Sequence, residues 1–218
     1  MTDFARAREK MVETHLAARG IHDLRLLDAM LQVPREMFVE PELRGRAYAD
    51  EPLPIEKGQS ISQPYIVAFM IQSAELKPAD RVLEIGSGSG YTAAVTSRLV
   101  SRVYGIERLD SLLEQARKRL AALSFDNIEL RSGDGCYGWP EAAPFDAILV
   151  AASANSIPEP LQQQLAIGGR LVMPVYTNRG LYSQALYKLT RVNATQYRTL
   201  DLGPVAFVPL ISTETKTG

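Results

Sequence analysis

The chain has 218 residues, 46% of them apolar, and a formal charge of −1 at pH 7. That length can bury a substantial core and sits at the upper end for one domain. Acidic and basic residues are mixed along the whole chain, which leaves no footprint for phosphate-backbone binding and excludes nucleic acid as an expected partner.

The N-terminal residues MTDFARAREKMVETH carry charges every few positions and lack the apolar stretch of a secretory signal. No apolar run reaches the roughly 20 residues of a membrane span, so the expectation is a cytoplasmic protein with no membrane partner. Phe4, Met11, Val12 and Leu16 share one helical face, with Gly20 suited to the C-terminal cap. A second helix follows, capped by Asp23, lined by Leu24, Leu27, Met30 and Leu31, and stopped by Pro34. From Arg35 to Gln59 there is no clean period, as in a connecting segment laid over a core.

Pro64 opens a helix whose broad apolar face holds Ile66, Val67, Phe69, Met70 and Ala74. Strands and helices then alternate: strand Arg81–Ile85, helix Tyr91–Leu99, strand Arg102–Ile106, helix Leu109–Leu123, strands Asn127–Arg131 and Phe145–Val150, a helix from Pro158, and strand Arg170–Val175. This alternation predicts a doubly wound α/β fold, its parallel sheet covered on both faces. Gln184–Val192, Tyr197–Leu202 and Val205–Leu210 read as closing antiparallel strands. The expected organisation is a single domain over 1–218, with 1–60 a helical and connecting cover, 61–211 the core and 212–218 a polar tail.

Val82-Leu-Glu-Ile-Gly-Ser-Gly-Ser-Gly-Tyr91 is a strand running into a glycine-rich turn and then a helix, at the sheet edge where nucleotide-like ligands bind. Gly86, Gly88 and Gly90 read G-x-G-x-G after the acidic Glu84, whereas a dinucleotide site reads G-x-G-x-x-G. The departure favours S-adenosylmethionine over a nicotinamide cofactor. Glu107, closing the next strand about 20 residues on, is the expected acceptor for ribose hydroxyls. Asp134-Gly135, after the strand beyond, is placed for adenine. Singly, these are a tight turn, a helix-start carboxylate and another turn; jointly, at the ends of three successive strands, they point to a cofactor.

His15 and His22 lie far in sequence from the glycine loop and read as surface or packing residues. Cys136, the sole cysteine, excludes an intramolecular disulfide and a cysteine-rich metal site, and no metal is expected. Asp-Pro-Pro-Tyr and Asn-Pro-Pro-Tyr segments are absent, which disfavours a nucleobase acceptor. A carboxylate acceptor needs no base, because it is already an anion at neutral pH.

Gly58-Gln-Ser-Ile-Ser-Gln-Pro-Tyr-Ile-Val-Ala68, preceded by Ala47-Tyr-Ala-Asp-Glu-Pro-Leu-Pro54, resembles the signature of the protein-L-isoaspartate O-methyltransferases, bacterial type. Val33–Val39, the glycine loop, Gly133–Gly135 with Gly138–Pro140, Ala143–Ile148, Gly168–Val172 and Val205–Leu210 resemble family segments in family order. The resemblance implies a Rossmann-like sheet of the class I S-adenosylmethionine-dependent methyltransferase type, with 61–211 as its catalytic part. It also implies methyl transfer to the α-carboxylate of L-isoaspartyl residues in damaged proteins, releasing S-adenosylhomocysteine; a monomer is the expected state, though no residue pattern fixes it.

By the same resemblance, Ser62 is the active-site serine, a donor to the substrate carboxylate, and Ser60 and Ile61 line the isoaspartyl pocket. Gln63, Pro64, Tyr65, Ile66, Glu84, Gly86, Ser87, Gly88, Glu107, Arg108, Asp134 and Gly135 contact the cofactor. Val205, Phe207 and Val208 belong to a strand that pairs with the substrate backbone. Without the resemblance, Ser62 reads as the N-cap of the Pro64 helix. Ser60, Ser87, Thr92 and Ala206 depart from the commonest bacterial pattern. The alternatives are a carboxylate methyltransferase dedicated to one peptide or small molecule, and a non-catalytic cofactor-binding protein.

Overall fold

A computed structural model describes residues 3–177 and 183–212; the predicted polar tail, apart from Ser212, lies outside them. Helix α1 (Phe4–Met11) is capped by the Asp3 carboxylate, which accepts from the Arg6 amide. The stretch expected as one helix continues as a π turn over Val12–Leu16 and a 3₁₀ turn over Ala17–Arg19 before Gly20 ends it at φ 91°. Within it the Thr14 hydroxyl donates to the Lys10 carbonyl at 2.7 Å, a back-bond that competes with regular helix pairing. Helix α2 (Leu24–Gln32) starts at the Asp23 cap and ends where Val33 turns extended ahead of Pro34.

The segment from Arg35 to Gln59 is a chain of 3₁₀ turns, as its lack of period implied. It contains β1 (Leu53–Pro54), which pairs antiparallel with β2 (Ser60–Ile61). Helix α3 (Pro64–Ser73) has Pro64 in its first turn and Gln63 as its N-cap residue. The capping role open to Ser62 on sequence grounds is therefore not the one it has.

The alternating part then builds one sheet from β3 (Arg81–Ile85), β4 (Arg102–Glu107), β5 (Ile128–Ser132), β6 (Phe145–Val150), β7 (Leu165–Tyr176), β8 (Gln184–Arg191) and β9 (Tyr197–Pro204). The order is β5-β4-β3-β6-β7-β8-β9, parallel through β7 and antiparallel thereafter. Helices α4 (Tyr91–Ser97), α5 (Asp110–Ala122) and α6 (Glu159–Gln163) fall in the crossovers. Val82, Val103, Ala147, Leu149 and Val172 face one side of the sheet, where they pack with α1 to α5. Leu83, Ile85, Ile106, Ile148 and Val150 face the other, under Leu161 of α6 and Trp139. Alternating strand residues are thus apolar on both sides, as a sheet covered on both faces requires.

One expected strand is absent. Val205–Leu210 does not continue the sheet; after the Val205 amide bonds the Gln184 carbonyl of β8 it bends back over the carboxyl ends to a parallel bridge between Pro209 and Ser153. Pro204 and Pro209 have no amide to give a ladder. The Gln184 side chain replaces a partner strand, accepting from the Phe207 amide at 2.7 Å and donating to its carbonyl at 3.0 Å.

Candidate active site

Chain order reverses between β3 and β6, since β4 and β5 lie on one side of β3 and β6 and β7 on the other. A crevice opens at the carboxyl ends of strands at such a point. Here it is a cavity of about 620 Å³, within the range of small-molecule sites.

Its floor is the glycine turn. Gly86, Gly88 and Gly90 take φ of 81°, 51° and 89°, a left-handed run that other residues adopt only with strain. Gly135 is required for a different reason: a Cβ there would run into Ile85 Cγ2 and force the loop after β5 off the end of β3. Gly135→Ala is expected to cost about 1–3 kcal/mol through overpacking and to weaken cofactor binding as the loop shifts. Thermal denaturation and cofactor titration read both effects, and no change in either would mean that Ile85 yields freely.

Glu107 closes β4 and is 7% exposed. One of its carboxylate oxygens accepts from the Gly88 amide and the other from the Leu109 amide, each at 2.9 Å. It therefore ties the glycine turn to the start of α5, and each oxygen keeps acceptor capacity toward the cavity. Both the helix-start reading of this residue and a ligand role fit one geometry.

The opposite wall is Gln59–Gln63 with Ile66, and Pro204–Ile211 crosses above it. The Gln63 side chain is turned away to Asp50, donating to its carboxylate at 2.8 Å and its carbonyl at 2.9 Å. Among the described residues that line it there is no histidine, lysine, cysteine or aspartate. A serine in such a wall has no base to make it a nucleophile but can still donate a hydrogen bond. His15 and His22 stand in the N-terminal helical region, outside this wall.

Of the residues singled out in the sequence, the cavity brings together Ser60, Ile61, Ser62, Gln63, Ile66, Gly86, Ser87, Gly88, Glu107, Arg108, Gly135, Val205, Phe207 and Val208. Four expected cofactor contacts are not on its wall. Pro64 is buried in the first turn of α3, and the Tyr65 ring is stacked on Phe69 beneath the Arg19 guanidinium, which lies 3.7 Å from its centroid. The Asp134 carboxylate caps the turn Gly135–Tyr137 through the Cys136 amide at 2.9 Å and accepts from the Ser212 hydroxyl at 3.2 Å.

Glu84, the fourth, is sealed beneath the glycine turn at 2% exposure. One of its carboxylate oxygens and the Ser87 hydroxyl have no hydrogen-bond partner among the described residues. Burial pushes this carboxyl up to about 8; the nearby Ser87 hydroxyl opposes the shift and the Glu107 charge adds to it. The folded protein thus holds this proton more tightly than the unfolded chain. Its stabilising effect is complete below the unfolded carboxyl range, is lost as pH rises, and levels off above about 8. Glu84→Gln, without cofactor, is expected to flatten stability between pH 5 and 8, with a gain on the order of a few kcal/mol at the upper end. Denaturant titrations across that range check it; an unchanged pH slope would locate the titration elsewhere.

The sequence reading passed over Asp50, Arg35 and Tyr91. The first two lie in segments that matched family segments but have no period from which a role could be read. Tyr91 lines the cavity as the first residue of α4.

A doubly wound sheet with a glycine turn at its reversal point, an acidic residue closing the next strand and a cavity above both defines a class I S-adenosylmethionine-dependent methyltransferase. Residues 6–215 match the model of the family described as Protein-L-isoaspartate(D-aspartate) O-methyltransferase (PCMT). The chain is 55% identical over 209 residues to protein-L-isoaspartate O-methyltransferase 1 of Geotalea uraniireducens, covering 96% of this chain and 94% of that one. It is 56% identical over 211 residues to the protein-L-isoaspartate O-methyltransferase of Methylorubrum populi, covering 97% of each. It also superposes with a TM-score of 0.81 on a crystal structure from Plasmodium falciparum, a putative protein-L-isoaspartate O-methyltransferase in complex with S-adenosyl-L-homocysteine. That match is 29% identical and covers 94% of this chain and 98% of that one. The chain belongs to the protein-L-isoaspartate O-methyltransferase family, and its activity is S-adenosylmethionine-dependent methylation of isoaspartyl residues in proteins.

Among the described residues no His, Cys, Asp and Glu group is arranged to hold a metal ion, and no helix is long and apolar enough to cross a membrane.

Proposed function

We propose that Ser62 donates its hydroxyl hydrogen to the α-carboxylate of the isoaspartyl residue, and that Glu107 and the turn Gly86–Gly88 hold the cofactor beside it. The observation that carries this reading is that all of them line one cavity, in which no histidine, lysine, cysteine or aspartate stands among the described residues. S-adenosylmethionine supplies, when bound, a methyl group activated by its sulfonium. The acceptor carboxylate is already ionised at neutral pH, so this chain has no proton to remove before attack. Its work is alignment and exclusion of water.

In that reading the Ser62 hydroxyl bonds one carboxylate oxygen and leaves the other directed at the methyl group. Glu107 accepts from the ribose hydroxyls through the acceptor capacity its two backbone bonds leave. Arg108 and Gly135 complete the cofactor wall; Ser60 and Ile61 flank the substrate carboxylate. Along Val205–Val208, Val205 and Phe207 turn their amides inward to Gln184 and Val208 gives its carbonyl to Ser153. In an extended segment neighbouring peptide groups point to opposite sides, so substrate pairing falls to the backbone of Ala206. We further read the chain as a cytoplasmic monomer without nucleic-acid partners; its charge of −1, with both signs mixed along the chain, supports the last of these.

The reading is tested by transfer of labelled methyl groups to matched peptides that differ only in L-isoaspartate or L-aspartate. Base-labile label on the isoaspartyl peptide alone is the expected result; label on neither, with the cofactor bound, favours a dedicated acceptor instead.

A further inference from the structure

Behind the wall that carries Ser62 lies a buried cation that the proposed chemistry does not use. Arg35 is 0% exposed. The Nε and Nη2 groups on one edge of its guanidinium donate to the carbonyls of Ala47 and Ser62, both at 2.8 Å, while Nη1 has no hydrogen-bond partner among the described residues. The flat group lies over the Tyr91 ring, 4.9 Å from its centroid, and Phe38 packs edge-on against that ring at 5.5 Å. Burial brings the guanidinium down to about 10, with Tyr91, Tyr48 and Asp50 opposing the shift, so it is a cation at neutral pH. Burying a charge with one donor left unpaired is costly, and an apolar side chain would fill the space at less expense. The arrangement is one that maximum stability would not select.

What Arg35 touches gives the expense a use. Ser62 and Tyr91 both line the cavity, the first on its substrate side and the second at the start of the helix that follows the glycine turn. The next residue is held as well, since its side-chain amide donates to Asp50. We infer that Arg35 is a positioning residue for methyl transfer: its fork fixes the Ser62 peptide against Tyr91, so that the serine hydroxyl and the cofactor half of the cavity keep one mutual geometry. The inference rests on the proposed role of Ser62. Arginine suits the task because one planar edge reaches two carbonyls at once while the cation stays over a ring, whereas a lysine ammonium is a single point donor.

The test is a double-mutant cycle. Arg35→Lys is made in the wild-type and Ser62→Ala backgrounds; kcat and KM for an isoaspartyl peptide are measured, with active sites counted by S-adenosylhomocysteine binding. A lysine charge confined there can prevent folding, so Arg35→Gln, which buries no charge, is carried through the same cycle. Expected is a fall in kcat of roughly 10- to 100-fold in the wild-type background, as for a small misplacement of reacting groups. Cofactor affinity stays within about twofold, and the further loss in the Ser62→Ala background is also within about twofold, because the two residues act through one hydrogen bond donor. Full turnover in an Arg35 variant, or an equal loss in both backgrounds with the Ser62→Ala effect intact, overturns the positioning role alone. Normal turnover in Ser62→Ala removes the serine reading, and this inference with it.

Discussion

Replacing Ser62 with alanine is expected to lower turnover on an isoaspartyl peptide by roughly 10- to 1,000-fold, the lower-to-middle range for loss of one preorganised donor. The substrate carboxylate would still bind, but nothing would then select which of its oxygens faces the methyl group. Stability is expected to stay within about 0.5 kcal/mol of the parent. The N-cap of α3 is Gln63, and the bond that anchors Ser62 runs from Arg35 to its backbone carbonyl, which alanine retains. Steady-state kinetics beside a denaturation curve check both halves. A folded Ser62→Ala protein with normal turnover would remove the serine from the mechanism, and a large loss of stability would mean that the hydroxyl is structural.

Glu107→Ala is expected to weaken cofactor binding by roughly 30- to 1,000-fold, corresponding to about 2–4 kcal/mol for losing charge-assisted bonds to two ribose hydroxyls. The same change frees the amides of Gly88 and Leu109, so the glycine turn loses its tie to α5. Glu107→Gln should not rescue it. A glutamine has one carbonyl oxygen where the site uses two, and its amide nitrogen would meet a backbone N–H as donor against donor. Titration calorimetry with S-adenosylhomocysteine is the direct measurement. Unchanged affinity in the alanine variant would refute the ribose assignment and leave Glu107 as a loop anchor.

The two residues differ in how they were legible. Glu107 follows from position alone, because it ends the strand after the glycine turn and the order of a doubly wound sheet carries that strand end to the ligand crevice. Ser62 had no local pattern that separated it from a helix cap, and its assignment leaned on a family signature. Its neighbours Pro64 and Tyr65 were assigned with it and are not on the cavity wall, since a signature names a segment and not the direction in which each side chain points. Asp134 and Glu84 are off the wall for a related reason: an acidic residue next to or just before a glycine turn reads as a ligand from the sequence, while in the fold one carboxylate caps a turn and the other is sealed below the loop.

By itself, the sequence determined the alternation of strands and helices, the glycine turn with its G-x-G-x-G spacing, the closing acidic residue, the helix caps at Asp23 and Gly20 and the family. These depend on periodicity, backbone freedom and short-range hydrogen bonding, which are local properties. Tertiary structure decided the rest. Val205–Leu210 has the composition of a strand, but the Gln184 amide and the bridge to Ser153 take up its polar groups and lay it over the cavity. Arg35 reads as one more charged residue near a turn, and only the fold buries it between two carbonyls and a tyrosine ring. Burial and long-range hydrogen bonding join residues that are distant along the chain, and no local pattern records which ones will meet.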